Sequence, residues 1–237
     1  MIRWGRRLGR APHDPVLLAA APPHLMGAAK PPATLDRRAI FWTPTLVRND
    51  VLPTCTIAAL LNSARAYALV HGFDIPTDEA KALMFYARLA GCLVADIAST
   101  DGLDMLAVVQ AARDRGFDAG GQTPLAPTFA AITPIDRDAM ADAMATRGAV
   151  NLGVLLSVSD QTMDVWDTIT PTDAGDAAPG SWGGHDLAGI DYSGLGDDDL
   201  VRLATWGGFH LATWRWIRLR TELAVSHVWG ALAGAAP

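Results

Sequence analysis

Apolar residues recur at helical spacing throughout the first half of the chain. The first stripe runs from Ile57 to Ala68 and is followed by Gly72, which suits the left-handed residue that often ends a helix. This pattern predicts a helix with Cys55 in its first turn. Three further stripes, each with capping residues at its start and a glycine near its end, predict helices between residues 76 and 148.

Beyond residue 148 the apolar positions form continuous or alternating runs, which are typical of strands. Four strands are predicted, at 149–158, 186–192, 200–206 and 210–219. Two segments rich in Gly, Pro, Thr or Asp, 120–134 and 159–181, are predicted to be loops, the first with one short extended piece. Helices therefore precede strands along the chain, which indicates an α+β domain with an antiparallel sheet in its second half.

Composition narrows the class of protein. The chain has 237 residues, half of them apolar, and a formal net charge of -6, so it can bury a large core. Nucleic-acid binding depends mainly on clustered Lys and Arg, and here these crowd only the first ten residues. Nucleic acid is therefore an unexpected partner for the main domain. No apolar run approaches the roughly 20 residues of a bilayer-spanning helix, so neither a membrane partner nor an insoluble protein is expected.

The first 44 residues differ from the rest, because they are rich in Arg and Pro. They predict an extended N-terminal arm, 1–44, that lies along a protein partner or along its own domain, 45–237. An export signal is the alternative, although Pro22 and Pro23 interrupt its apolar stretch. Trp42 and Trp229 fall in the terminal segments and are expected to anchor a partner, and Trp166 in the long loop is expected to cover a cleft.

Cys55 and His185 are the candidate chemical groups. The N-terminus of a helix has unpaired N–H groups and the positive end of its dipole, and both favour a thiolate. His185 follows 130 positions later, at the end of a Trp-Gly-Gly-His segment that opens a strand. A buried structural cysteine is the alternative for Cys55, and Cys92 is interpreted as a core residue. The histidines are scattered without ligand spacing, so no metal and no cofactor are expected.

A set of local matches, in order along the chain, resembles the papain-like cysteine peptidases. The segment 183–192, Gly-Gly-His-Asp-Leu-Ala-Gly-Ile-Asp-Tyr, is similar to the family's Gly-His-Ala-Val-x-x-Val-Gly-Tyr strand, and 203–207, Leu-Ala-Thr-Trp-Gly, is similar to its Asn-Ser-Trp-Gly turn. The resemblance covers about residues 45–220 and looks closest to divergent papain-like proteins of phages and prophages. It implies a papain-like α+β fold, in which the helix carrying the cysteine packs against a sheet carrying the histidine.

The resemblance also implies roles for individual residues. Cys55 would be the nucleophile and His185 its base, and Asn49 stands where the family has the glutamine of the oxyanion hole. Residues flanking the histidine and the turn would line a substrate cleft: Trp182, Gly183, Gly184 and Trp206.

Ala204 departs from the family, because it replaces the asparagine that orients the imidazole. Thr205 or Asp191 is the expected substitute.

Two functions follow from the resemblance. The first is a thiol hydrolase that cleaves an amide bond in a peptide or a peptidoglycan cross-link through Cys55 and His185. The alternative is a catalytically degenerate structural or assembly protein, such as a phage virion component that binds neighbouring subunits through residues 1–44. A cytoplasmic or virion-associated location is expected, and export stays open.

Overall fold

The computed structural model describes residues 30–38, 42–72, 75–118, 120, 125–168 and 174–231. Five α-helices lie in this part of the chain: α1 Cys55–Val70, α2 Glu79–Ala90, α3 Met105–Arg115, α4 Arg137–Arg147 and α5 Trp214–Arg220. Seven strands accompany them: β1 Leu125–Ile132, β2 Val150–Leu156, β3 Val165–Trp166, β4 Gly183–Tyr192, β5 Leu200–Thr205, β6 Gly208–Thr213 and β7 Thr221–Ala231. The predicted α+β class is confirmed.

Helices α2, α3 and α4 begin in the same way. An aspartate side chain at each N-cap, Asp78, Asp104 or Asp136, accepts a hydrogen bond from the backbone N–H three residues later. A glycine with positive φ follows each helix and ends it. These signals are local in the sequence, which explains why the helix positions were predicted closely.

The seven strands form one sheet in the order β1-β7-β2-β4-β5-β6-β3. All neighbours pair antiparallel except β3 and β6, which run parallel. Helix α1 packs on one face, where Ala66 joins Ala188 and Ala204 in a buried cluster. Helix α4 packs on the other face, where Met144 joins a second cluster that includes Leu187.

Strand β4 is therefore covered on both sides, and nearly all of it is buried. Since successive side chains of a strand point to opposite faces, Asp186 and Ala188 share the face of α1, whereas His185 and Leu187 share the face of α4. This alternation places His185 and Asp186 in different surroundings.

Two sequence-based predictions about the elements are wrong, and one strand was missed. The predicted strand 210–219 is β6 followed by helix α5, which begins where the Thr213 hydroxyl accepts a hydrogen bond from the Trp216 N–H. The segment 120–134, predicted to be a loop with one short extended piece, contains the eight-residue strand β1, which pairs along its whole length with β7. Strand β7 itself, at 221–231, was not predicted at all.

The interpretations of three tryptophans are also wrong. Trp229 lies in β7 and is buried, and Trp42 is buried beside α1. Trp166 forms part of β3 and is 1% exposed, because it stacks between Trp216 and His210. None of the three is an exposed anchor or a cover for a cleft.

Most of the predicted arm, residues 1–29 and 39–41, lies outside the described residues. The described end of it packs on the domain: Leu35 pairs with Tyr192 at the end of β4. The Arg37 guanidinium donates to the Gly148 carbonyl at 2.6 Å and to the Ala145 carbonyl at 3.0 Å. Arg37 thereby satisfies carbonyls at the C-terminal end of α4. No helix among the described residues is both long and apolar enough to span a bilayer.

Candidate active site

Cys55 is the first residue of α1 and is 8% exposed. The loop before it is held in place by the Thr54 hydroxyl, which donates to the Val47 carbonyl at 2.7 Å. Burial raises the pKa of the Cys55 thiol to about 12, and the nearby Asp186 carboxyl contributes to this increase. Hydrogen bonds from the backbone N–H groups of Asp186, Thr56 and Cys55 lower the pKa, but by less. The prediction that the helix start favours a thiolate is therefore wrong for this resting structure, because desolvation outweighs the backbone donors.

His185 lies near the start of β4 and is 2% exposed. Its Nε2 is 2.6 Å from the Thr205 hydroxyl oxygen, and its ring stacks on Trp206 with centroids 4.4 Å apart. Burial lowers the pKa of His185 to about 3, so the imidazole is neutral near pH 7. Within the described part of the chain, Nδ1 makes no hydrogen bond.

The structure gives Cys55 and His185 different partners. The thiol lies beside Asp186, and the imidazole lies between Thr205 and Trp206. No hydrogen bond joins Cys55 to His185 in the structure as described. The resting pair is therefore a neutral thiol and a neutral imidazole that are not in hydrogen-bond contact.

Asn49 lies in the loop before α1 and is buried, and its backbone N–H donates to the Leu46 carbonyl at 3.0 Å. The two residues before it, Val47 and Arg48, have positive φ angles of 50° and 53°. Such values are costly for residues with a Cβ, and strain of this kind clusters at functional sites. No hydrogen bond of the Asn49 side chain to Cys55 is present among the described residues.

The turn between β5 and β6 faces this loop. Trp206 in the turn also has a positive φ, 46°, and the next residue, Gly207, lies against Leu46. A Cβ at Gly207 would be 3.3 Å from the Leu46 Cβ, so this approach is tight. The loop that leads to Cys55 and the turn that supports His185 are thus packed on each other.

The residues predicted to line a cleft do lie near the imidazole. Trp182 is half-buried and its ring is 5.7 Å from that of Trp206, which stacks on His185. Gly183 and Gly184 open β4 directly before the histidine. The rings of Trp182, Trp206 and His185 form one aromatic cluster at the start of β4.

Of the two expected substitutes for the missing asparagine, Thr205 contacts His185 and Asp191 does not. The Asp191 carboxylate pairs with Arg202 at 2.6 Å and accepts from the Arg37 backbone N–H. Ala204, at the position of that asparagine, is buried on the α1 face together with Ala66. The β5 backbone therefore presents position 205, not position 204, to the imidazole.

Sequence reasoning missed Asp186. This residue is 3% exposed, and neither carboxyl oxygen has a hydrogen-bond partner. Burial raises its pKa well above the usual range, so the carboxyl is neutral at rest. An acid directly before the apolar run 187–190 was a visible signal, since strands buried on both faces rarely carry one.

Comparison with solved structures identifies proteins with a similar fold. No protein-family model and no curated protein sequence matches the chain. Among solved structures, it is similar to xylellain, a cysteine protease from Xylella fastidiosa, with a TM-score of 0.65 and 13% identity over 96% of this chain and 95% of that one. The chain has the papain-like fold.

Two more neighbours with this fold are procathepsins. Procathepsin L 3 from the larval midgut of Tenebrio molitor matches with a TM-score of 0.63 and 15% identity, over 96% of this chain and 76% of that one. Procathepsin B S9 from Trypanosoma congolense matches with a TM-score of 0.60 and 10% identity, over 96% and 87%. At such low identities the papain-like likeness establishes the fold alone.

Proposed function

We propose that the chain is a thiol hydrolase that cleaves an amide bond, in a peptide or a peptidoglycan cross-link, with Cys55 as nucleophile and His185 as base. The observation that carries the proposal is the placement of Cys55 at the first residue of α1 beside β4, the strand that holds His185. The Thr205 contact engages Nε2 and leaves Nδ1 of the imidazole without a partner, so Nδ1 is the nitrogen that would take the thiol proton.

The reaction uses only these groups and water. Nδ1 of His185 removes the proton of Cys55 as the sulfur attacks the carbonyl carbon, and a C–S bond forms. The C–N bond then breaks, and the leaving amine takes the proton from the imidazolium. Water next attacks the thioester, giving a proton to His185, and the acid product leaves as the thiol is re-formed with that proton. Asn49 is proposed as an oxyanion donor, which requires its side-chain amide to face the carbonyl oxygen of the substrate.

The resting structure opposes the first step. A thiol with a pKa of about 12 and an imidazole with a pKa of about 3 do not exchange a proton spontaneously near neutral pH. The imidazole also lies on the face of β4 opposite α1, so the proposal requires that substrate binding turns the start of β4 and brings Nδ1 of His185 to Cys55. The expected behaviour is a poor nucleophile at rest that becomes reactive with a bound substrate.

The test is formation of an acyl-enzyme at Cys55. The full chain is incubated with a pool of peptide thioesters and cross-linked peptidoglycan fragments, and the acylated residue is located by mass spectrometry. Acylation that requires both Cys55 and His185, and that survives Cys92→Ala, supports the proposal. Turnover that persists in Cys55→Ala would overturn it.

A second function is favoured by the burial of the same two groups. Both groups are buried, neutral and not hydrogen-bonded to each other, which suits a papain-like protein that has lost turnover. Under this proposal the chain binds protein partners through residues 1–44, for example as a virion component. Unchanged partner binding by Cys55→Ala, with no acylation of the wild type by any substrate, would favour it over the hydrolase.

A further inference from the structure

A cavity of about 440 Å³ lies where the described end of the N-terminal arm meets the sheet. This volume is within the usual range of small-molecule sites, roughly 300–1,000 Å³. The arm forms one wall, because Leu35 pairs with Tyr192 through two backbone hydrogen bonds of 2.9 and 3.0 Å. Strands β5 and β6 contribute to the other wall. Neither Cys55 nor His185 lines this cavity, so it is separate from the candidate active site.

The sheet side of the cavity is partly apolar. Leu200 and Arg202 lie on the same face of β5, and Leu211 lies opposite Arg202 on β6. Leu211 is 36% exposed, so the described residues leave this part of the sheet face open. Leu35 of the arm lines the same cavity. Three leucines are thus available to contact an aliphatic group of a ligand.

The two aspartates of the cavity already have hydrogen-bond donors. Asp191 accepts from the backbone N–H of Arg37 at 2.9 Å, and from Nε and Nη2 of Arg202 at 3.1 and 2.6 Å. Asp36 is held in the same way, by the backbone N–H of Arg38 at 2.9 Å and by its Nε and Nη2 at 3.0 and 2.6 Å. Each carboxylate therefore has a guanidinium and a backbone donor, and neither needs a cation from a ligand.

The two arginines of the cavity, in contrast, keep unused donors. A guanidinium carries five N–H groups, and pairing through Nε and Nη2 leaves the two N–H groups of Nη1 free. No described residue accepts a hydrogen bond from Nη1 of Arg38 or of Arg202. Arg202 is also held in place by the Phe209 ring, whose centroid is 4.4 Å from the guanidinium carbon. The cavity thus lacks an acceptor, and a ligand that supplies one fits it.

The charges favour a ligand with a single negative charge. The segment 36–38 and its partners Asp191 and Arg202 together carry three arginines and two aspartates, which leaves one positive charge unbalanced. A dianion such as phosphate would bring a second negative charge near two carboxylates, which costs free energy. A carboxylate supplies one charge and two oxygens that match guanidinium N–H groups.

We propose that this cavity binds a carboxylate that carries a branched aliphatic group. Nη1 of Arg38 and Nη1 of Arg202 donate to the carboxylate oxygens, and Leu211 contacts the aliphatic carbon atoms. The C-terminal residue of a peptide and a free short-chain acid share this chemistry. The proposal goes beyond the hydrolase, because it uses neither Cys55 nor His185.

The test measures binding of N-acetylleucine to the full chain by isothermal titration calorimetry, with N-acetylleucinamide and acetate as comparison ligands. The acid is expected to bind saturably. The uncharged amide should bind at least about tenfold more weakly, because it lacks charge-assisted hydrogen bonds. Acetate should also bind at least about tenfold more weakly, since it lacks the aliphatic group. Absence of saturable binding, or an affinity for the amide or for acetate equal to that for the acid, would overturn the proposal.

Variants assign the binding to the two arginines. Arg38→Lys and Arg202→Lys keep the positive charge but remove the guanidinium fork, so each is expected to weaken N-acetylleucine binding about three- to tenfold. Arg113→Lys is the matched control, because Arg113 also pairs with an aspartate and lies over an aromatic ring, that of Phe129, but does not line the cavity. It should leave the affinity unchanged. Wild-type affinity in both cavity variants would contradict the proposed contacts.

A third variant tests the apolar side of the cavity. Leu211→Ala is expected to weaken binding of N-acetylleucine about threefold and to leave binding of acetate unchanged. Circular dichroism verifies that each variant is folded. Arg38 and Leu211 are both exposed, so their variants decide the outcome if Arg202→Lys does not fold.

Two further ligands identify the source of the carboxylate. Tighter binding of an N-acetylated tripeptide that ends in leucine, relative to N-acetylleucine, would assign the site to peptide C-termini. Tighter binding of isocaproate would assign it to free short-chain acids. Acylation of Cys55 is measured separately, so failure of the proposed hydrolase leaves this site standing, and failure of carboxylate binding leaves the hydrolase standing.

Discussion

The hydroxyl oxygen of Thr205 lies 2.6 Å from Nε2 of His185. Thr205 comes one residue after Ala204, which stands at the position of the asparagine in the Asn-Ser-Trp-Gly motif of papain-like peptidases. The contact connects β5 to β4 through side chains that are both buried. It supplies the imidazole with its hydrogen-bond partner in the described structure. In the tautomer with a proton on Nε2, the Thr205 oxygen accepts and Nδ1 keeps a free lone pair.

Replacing Thr205 tests this contact directly. Thr205→Val keeps the shape but leaves Nε2 of a buried imidazole unpaired, which is expected to lower the free energy of unfolding by about 1–3 kcal/mol. Thr205→Ser keeps the hydroxyl and should lose less than half of that. Urea unfolding of the three proteins measures the difference. Equal stability of the valine and wild-type proteins would mean that the contact contributes nothing.

Restoring the missing asparagine is not expected to help this chain. Ala204 is 1% exposed and packs beside Ala66 on the face opposite to His185. An Asn side chain there would be overpacked and unable to reach the imidazole, so Ala204→Asn should lower the free energy of unfolding by about 1–3 kcal/mol. It should not increase acylation of Cys55. The exposed Ala98→Asn is the control for the polarity of the new side chain, and an increased acylation rate in Ala204→Asn would contradict the placement.

Gly148 ends α4 where the chain touches the backbone of α1. Its φ is +87°, and a Cβ would lie 2.5 Å from the carbonyl carbon and oxygen of Ala66. Gly148→Ala is therefore expected to cost at least about 2 kcal/mol, from the strained φ and from the displaced backbone together. Gly72→Ala has a similar φ of +79° with nothing within 4 Å, so it isolates the first effect at about 1 kcal/mol. If Gly148→Ala and Gly72→Ala unfold at the same urea concentration, α1 moves away from the new Cβ without a further loss of stability.

His227 should make stability depend on pH. It is buried in β7 with both ring nitrogens unpaired, and burial, followed by the nearby charge of Arg147, lowers its pKa to about 3. The unfolded chain binds a proton more readily, with a pKa of about 6.5. The contribution of His227 is therefore full above that pKa and is lost as pH falls toward 3.

The size of this effect follows from the two pKa values and can be isolated by one variant. Between about pH 7.5 and pH 4, wild type should lose about 3 kcal/mol more than His227→Leu. His185 and Asp186 titrate in both proteins, so their contributions cancel in the difference. Urea unfolding of both proteins at several pH values measures this difference in the free energy of unfolding. Parallel curves for the two proteins would show that His227 is accessible or paired in solution.

Local signals explain what could be predicted from the sequence. The apolar stripe from Ile57 to Ala68 placed α1, and with it the position of Cys55, because helix spacing and a terminal glycine are read from adjacent residues. The apolar run that follows Gly183 and Gly184 placed β4, and with it His185, because this pattern also is read from adjacent residues. These two elements carry both residues of the proposed reaction.

Long-range packing explains the predictions that were wrong or missing. The alternation of Trp214 and Trp216 suits a strand, yet both are buried within helix α5, whose first turn is capped by Thr213. Strand β7 includes Ser226 and His227 and lacks a clean alternating pattern, and it is held by pairing with both β1 and β2. The partners of Cys55 and His185 likewise depended on which face of β4 each neighbour occupies, which no local pattern specifies.

The contact between Gly148 and Ala66 has a mechanical consequence for the distant end of α1. Cys55 is eleven residues from Ala66 along a rigid rod, or about 16 Å at 1.5 Å per residue. If α1 tilted by only about 2° about Ala66, the Cys55 sulfur would move by roughly 0.5 Å, a shift large enough to affect the rate of a reaction at that atom. A change in the spacing between Gly148 and Ala66 would therefore shift the position of the Cys55 sulfur.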